Sequence, residues 1–136
     1  MAFTTRVTRH PGYVQLQVAG PNSIRDFVEL VSTVGQETVY WSDRKVLVDL
    51  RQVEGALSTD EQIFLGEMVA QELSHIERMA SVVPAGQITH NSENAAQQMG
   101  TQLRVFDNEA DAIAWLTADL ADLAVAAAAP TSRATA

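Results

Sequence analysis

The sequence predicts a single α/β domain with the element order β-β-α-β-α-β-α-β-α and a mixed, mostly parallel sheet. Three observations carry this prediction. Two short strand-like segments separated by a turn open the chain, and segments of strand character then alternate with segments of helical periodicity. The chain has 136 residues with 46% hydrophobic content, enough for one packed core. Strands that alternate with helices are usually joined by right-handed parallel crossovers, whereas a hairpin adds an antiparallel strand.

A β-hairpin is expected at the start of the chain. Residues 3–9 and 13–19 are rich in β-branched and aromatic residues, and the second segment alternates apolar with polar side chains. Pro11 presets its backbone for a turn, and Gly12 tolerates positive φ. These two residues therefore predict the turn that joins two antiparallel strands.

The first helix is expected to begin at a cap on Asn22 or Ser23 and to continue towards Trp41. Its apolar positions recur at helical spacing: Ile24, Phe27, Val28, Val31 and Val34. Residues 45–51 follow as a nearly continuous apolar run, which is typical of a strand buried on both faces of a sheet.

A second helix is predicted from Ser58, because Ser58 and Glu61 have the spacing of a capping box. In such a box the serine hydroxyl accepts from the amide three residues later, and the glutamate accepts from the amide of the serine. The buried stripe of this helix is expected at Leu65, Met68, Val69, Glu72 or Leu73, and Ile76.

The last third of the chain predicts two more strands, over residues 79–83 and 103–106, and two more helices. One helix begins with Asn91 or Ser92 as its cap and ends near Met99, and the other begins at Asp107 or Asn108. The expected apolar side of the final helix is Ala110, Ile113, Ala114, Leu116, Leu120 and Leu123.

One domain, residues 1–124, and a disordered alanine-rich tail, residues 125–136, are the predicted organisation. The composition also excludes several classes of chemistry and of binding partner. The chain has no cysteine, so disulfides and thiolate chemistry are excluded. We expect no metal because the three histidines, His10, His75 and His90, do not lie at metal-ligand spacing, and no cofactor because no glycine-rich phosphate loop is present. A net charge of −8 with nine scattered Lys and Arg residues disfavours nucleic acid and anionic membranes. Without an apolar leader or a span of about 20 apolar residues, the protein is expected to be cytoplasmic.

Four features follow one another along the chain: the segment LVDLR, a loop with a long helix, an A-x-V-V strand and the segment RVFDNEADAIAWL. In this pattern the sequence resembles the SpoIIAA-like branch of STAS-type domains. The resemblance rests on the order of elements over about residues 3–120 and on the segment RVFDNEADAIAWL. Its matching positions are Val105, Phe106, Asp107, Ala112, Trp115 and Leu116. The resemblance implies a mixed sheet with helices packed mainly on one side, and it brings no catalytic residues.

Anti-sigma factor antagonists are better-known relatives in this resemblance, and they switch partners when a serine at a helix start is phosphorylated. In this sequence Ser58 and Thr59 fall at the Ser-Ser position of their motif. Leu57 and Asp60 replace the Asp and Gly that flank that position, and acidic neighbours oppose a phosphate. Ser58 and Thr59 are therefore interpreted as a helix cap first and as a phosphosite second.

The leading functional hypothesis is a non-enzymatic protein-binding or regulatory module, with another protein or a second copy as partner. A homodimer is expected because the hairpin exposes a sheet edge. The proposed contact surface is the segment 53–61 with the loop 85–92 beside it. Its individual candidates are Val53, Glu54, Leu57, Asp60, Glu61, His90 and Asn91.

Two other function classes remain. A small-molecule carrier would hold an apolar, lipid-like ligand between helices and sheet, lined by Phe27, Val31, Leu65, Met68 and Val69. An enzyme would have only Ser58, His90 and Asp49 to use, and the sequence shows no nucleophile–base pair among them. Asp49 lies within a buried strand, so it is expected to pair with Arg51 or Arg104 instead.

Overall fold

A computed structural model of the protein describes residues 3–39, 44–55 and 57–118. Five strands and four helices alternate in the predicted order. The strands are β1 (Thr4–His10), β2 (Tyr13–Pro21), β3 (Lys45–Glu54), β4 (Arg78–Val82) and β5 (Leu103–Phe106). The helices are α1 (Ile24–Thr38), α2 (Thr59–Glu72), α3 (Asn91–Gln98) and α4 (Glu109–Leu116).

The five strands form one sheet whose spatial order is the same as their order in the chain. β1 pairs antiparallel with β2, and every later pair is parallel. Gly12 in the hairpin turn has a φ of 89°, the left-handed conformation that glycine tolerates. Since each parallel crossover advances in one direction with the same hand, α1, α2 and α3 fall on one face of the sheet.

Two apolar clusters occupy the two faces of the sheet. The larger contains residues of β2 to β5 together with α1, α2 and α3, and the smaller is closed by Ala112 and Leu116 of α4. The predicted mixed sheet with helices mainly on one side is therefore confirmed, and α4 is the helix that covers the opposite face.

Close contacts between neighbouring helices depend on two glycines. A Cβ added to Gly35 of α1 would lie 2.7 Å from the carbonyl oxygen of Glu72 in α2. A Cβ added to Gly66 of α2 would lie 2.3 Å from the carbonyl oxygen of Ser92 in α3. These distances are shorter than any ordinary carbon–oxygen contact, so the helix layer could not pack in this way with a side chain at either position.

Several boundaries and faces differ from the sequence predictions. α1 ends at Thr38, short of Trp41, which lies outside the described residues. The cap of α3 is His90 rather than Asn91 or Ser92, and it makes no side-chain capping bond. In α4 the expected Ala110 and Ala114 are exposed, because the helix turns Ala112 and Leu116 towards the sheet.

The tail at 125–136 and the expected positions Leu120 and Leu123 lie outside the described residues. No helix in the described ranges has the length and apolar character needed to cross a membrane.

Candidate functional site

The predicted contact surface lies where the parallel strands end. β2 and β3 finish side by side, with Pro21 aligned to Glu54, and the backbone N–H of Asn22 donates to the Glu54 carbonyl at 2.9 Å. Val53 and Glu54 belong to this end of β3, and the loop 85–92 leads from β4 into α3. Both candidate segments therefore leave the same edge of the sheet, the usual position of ligand sites in open α/β folds.

Gln62 of α2 ties the two segments together. Its side-chain Nε2 donates to the Leu57 carbonyl at 2.9 Å. Its Oε1 accepts from Thr89 Oγ1 at 2.5 Å and from Asn91 Nδ2 at 2.9 Å. Gln62 is not among the residues expected from the sequence, because a single glutamine in the first turn of a helix carries no recognisable motif. Asn91, the first residue of α3, is in this way connected to α2.

Ser58 is the N-cap of α2 in a complete capping box. Its Oγ accepts from the Glu61 amide at 3.2 Å, and its own amide donates to Glu61 Oε1 at 2.9 Å. Ser58, Thr59 and Asp60 are exposed, while Leu57 and Glu61 are half-buried. The hydroxyl is thus accessible and at the same time occupied in stabilising the helix start.

His90 and Glu93 fix the start of α3 to the last strand. His90 Nδ1 lies 2.9 Å from one carboxylate oxygen of Glu93, and the other oxygen accepts from the Val105 amide at 2.8 Å. Val105 belongs to the edge strand β5, so the buried Glu93 satisfies a backbone donor on its unpaired side. His90 therefore lies at the predicted surface with an identifiable structural partner.

Exposed apolar side chains adjoin the residues of the Gln62 bridge along the chain. Ile63 and Phe64 follow it in α2, and Ile88 precedes Thr89 in the loop. Phe64 is 51% exposed. Ile63 and Phe64 lie outside the buried stripe predicted for α2, and the structure leaves them exposed rather than packed against a neighbouring element. We call residues 53–64 and 85–92 together the carboxyl-edge surface.

A cavity of about 160 Å³ opens beside this surface, between α1, α2 and the sheet. Phe27, Val31, Leu65 and Val69 line it, as the carrier hypothesis predicts, whereas Met68 packs against the core without lining the cavity. Val53, Leu57 and Gln62 belong both to the cavity wall and to the carboxyl-edge surface. None of the described residues that line the cavity is charged.

The possible catalytic residues are each engaged with a different partner. Ser58 bonds Glu61, His90 bonds Glu93, and Asp49 accepts hydrogen bonds from Arg51. Within the described residues no three His, Asp or Glu side chains are grouped so that they could hold a metal ion. The arrangement offers no activated nucleophile.

Asp49 and Arg51 are placed on the face that α4 covers, away from the cavity. The Arg51 side chain hydrogen-bonds the Asp49 carboxylate and holds its pKa below the usual range, although burial opposes this effect. Arg51 also lies 3.8 Å from Glu109 of α4. Of the two partners predicted for Asp49, the structure selects Arg51, and the pair links β3 to the start of α4.

Comparison with known proteins places this fold in a family. The sequence profile of the SpoIIAA-like family matches residues 13–117. An anti-sigma factor antagonist from Mycobacterium paratuberculosis superimposes with a TM-score of 0.58 at 17% identity, covering 85% of this chain and 94% of that one. An uncharacterised protein with a SpoIIAA-like fold from Shewanella loihica PV-4 gives a TM-score of 0.53 at 16% identity, with the same coverage. No curated protein matches the sequence. Because the family profile spans most of the chain, this protein belongs to the SpoIIAA-like family.

Proposed function

We propose that this protein is a non-enzymatic binding module and that it recognises another protein through the carboxyl-edge surface. The observation that carries the proposal is the exposure of Phe64, a large aromatic side chain that is 51% accessible beside the half-exposed Ile63. Aromatic residues that anchor an interface are commonly exposed in the free protein and surrounded by polar groups. The membership in a family with an anti-sigma factor antagonist among its structural neighbours supports a regulatory role.

The charge around Phe64 defines the complementary surface. Residues 53–64 contain Glu54, Asp60 and Glu61 and no lysine or arginine, and the chain carries a net charge of −8. A partner should therefore present an apolar centre bordered by basic residues. Its association rate should fall as salt concentration rises, because the attraction between the two charged rims is screened.

Affinity capture from the source cell with three forms of the full chain tests this proposal. Phe64→Ser removes the proposed anchor, and Met99→Ser is the matched control, because Met99 is 47% exposed at the far end of α3. A protein captured by the wild type and by Met99→Ser, but lost with Phe64→Ser, supports the carboxyl-edge surface. Capture of the same proteins by all three folded forms would refute it.

The N-terminal hairpin favours self-association into a homodimer through the edge strand β1. Among the strands of the described residues, β1 pairs with β2 alone, and its Val7 is 48% exposed. An exposed edge strand offers unpaired backbone groups to a second copy, and two-fold dimers are the commonest soluble assembly. Sedimentation velocity up to high micromolar concentration tests the homodimer, and a single monomeric species at every concentration would contradict it.

The second candidate function is that of a carrier for a small apolar ligand. The concave, mostly apolar cavity of about 160 Å³ between α1, α2 and the sheet favours it, since sites for small molecules in proteins are typically of this kind. Native mass spectrometry of the protein purified from its source cell should detect a small bound mass. A protein that carries no ligand and binds no apolar probe would rule this function out.

A further inference from the structure

The cavity wall contains a hydrogen-bond acceptor without a donor. Asn22 lines the cavity, and its Oδ1 is buried and makes no hydrogen bond within the described structure. Buried carbonyl oxygens in native proteins nearly always accept a hydrogen bond, because leaving one unpaired forfeits its hydration without compensation. The position of Asn22 Oδ1 thus indicates a donor that the chain itself does not supply.

The surroundings of Asn22 hold this oxygen in place. The Asn22 backbone amide is bonded to the Glu54 carbonyl at 2.9 Å, which fixes the residue beside the end of β3, and Gly55 lies next to its side chain. Asn22 does not cap α1, because the side chain of the next residue, Ser23, accepts from the Asp26 amide instead. Its side chain is therefore free of the role that the sequence would have given it.

The remaining wall restricts the chemistry of an occupant. It is formed mainly by aliphatic side chains together with Phe27, and none of its described residues carries a charge. Two of its polar side chains, Gln62 and Thr89, are already bonded to each other. A charged group inside would lack a counterion, and an anion would also face the Asn22 oxygen and a net charge of −8.

We propose that the cavity binds a small uncharged apolar molecule with one hydroxyl or N–H group, and that Asn22 Oδ1 accepts the hydrogen bond from this group. The inference rests on the carrier function proposed above and specifies its ligand. In size the cavity is similar to an engineered apolar cavity of about 150 Å³ that accommodates benzene. The occupant is therefore a neutral alcohol, phenol or N–H heterocycle with a compact apolar body, and not a carboxylate.

Four probes of similar size test this assignment by isothermal titration or ligand-observed NMR on the full chain. Phenol has the donor, anisole replaces it with an acceptor, toluene has no polar group, and benzoate carries a charge. In the wild type we expect phenol to bind and benzoate not to bind. Asn22→Leu retains a similar side-chain volume and removes the acceptor, so it should weaken phenol binding roughly five- to tenfold, the value of one hydrogen bond. Toluene and anisole should bind this variant at least as well as the wild type.

Two further measurements separate failure of this inference from failure of the carrier function. Val31→Phe should fill the cavity and weaken every probe, and Leu65→Trp does the same from a half-buried position if the first variant fails to fold. If toluene binds and these variants weaken it, but Asn22→Leu leaves phenol binding unchanged, the cavity accepts ligands and the role of Asn22 is refuted. Tight benzoate binding would likewise overturn the inference. If no probe binds the wild type, both the carrier function and the role of Asn22 are refuted.

Discussion

Arg51 lies two residues after Asp49 in β3, and its side chain binds the Asp49 carboxylate. Arg51 Nε donates to Asp49 Oδ1 at 2.9 Å, and Arg51 Nη2 donates to Asp49 Oδ2 at 2.8 Å, while the Arg51 amide reaches Oδ1 at 3.1 Å. Residues i and i+2 of a strand share a face, so this two-pronged pair needs no distant element. It allows β3 to carry a carboxylate that is only 5% exposed.

Arg51→Met should destabilise the protein by about 1–3 kcal/mol at neutral pH, because it leaves the buried Asp49 carboxylate without its main donors. The pKa of Asp49 is lowered in the folded state, so its ion pair contributes stability above about pH 4, the ordinary pKa of Asp, and loses it as pH falls. The difference between wild type and variant should therefore narrow near pH 3. Urea unfolding at pH 7 and pH 3 measures it, and an equal difference at both values would show that Asp49 is not the cause.

The second prediction concerns His75, which lies in the turn after α2 and contacts Thr38 at the end of α1. His75 Nε2 is 2.6 Å from Thr38 Oγ1, and burial, followed by the nearby Arg44, lowers the pKa of His75. The unfolded chain then binds a proton more readily than the folded chain, so the free energy of unfolding should fall as pH drops below about 6.5. Denaturant unfolding of the wild type and His75→Gln between pH 7.5 and 5.5 tests this. Equal slopes against pH for the two proteins would contradict it.

Gly66→Ala should destabilise the protein although alanine is the better helix former. The new methyl would lie 2.3 Å from the Ser92 carbonyl oxygen, and α2 and α3 would have to separate. We expect a loss of about 1–3 kcal/mol, which outweighs the gain of about 1 kcal/mol in helix propensity. Thermal or urea unfolding measures it, with Glu67→Ala at the exposed next position as the control, expected to stay within about 0.5 kcal/mol. A Gly66→Ala protein more stable than the wild type would refute the close packing of the two helices.

The fourth prediction separates the two interpretations of Ser58. As a cap, Ser58→Ala should cost about 0.5–2 kcal/mol and Ser58→Asp should be nearly neutral, since aspartate caps as well as serine. Thr59→Ala, one position later and exposed, serves as the control for urea unfolding. We expect no phosphate on Ser58 or Thr59 in protein from the source cell, because Asp60 and Glu61 already place negative charge at this helix start. Phosphopeptide mass spectrometry over residues 52–78 decides it, and a stoichiometric phosphate would restore a phosphorylation switch.

The sequence determined the features that depend on near neighbours. The order of elements, the hairpin turn, the capping box at Ser58 and the strand at 103–106 could all be predicted, because propensity, caps and periodicity act over a few residues. The sequence also limited the partner of Asp49 to two arginines, Arg51 and Arg104, since a buried carboxylate requires a hydrogen-bonded or oppositely charged partner. The identity and the order of the structural elements could thus be predicted without knowledge of any tertiary contact.

Tertiary structure alone decided which residues meet across the fold. Ala112 and Leu116 of α4, rather than Ala110 and Ala114, face the sheet, and Gln62 bonds Thr89, which lies 27 residues later in the chain. The cavity, the exposure of Phe64 and the unpaired Asn22 oxygen also depend on tertiary structure, because each is determined by how the helices pack on the sheet. A sequence pattern specifies that a side chain is apolar or can accept a hydrogen bond, whereas the packing of distant elements decides whether it finds a neighbour, solvent or an empty volume.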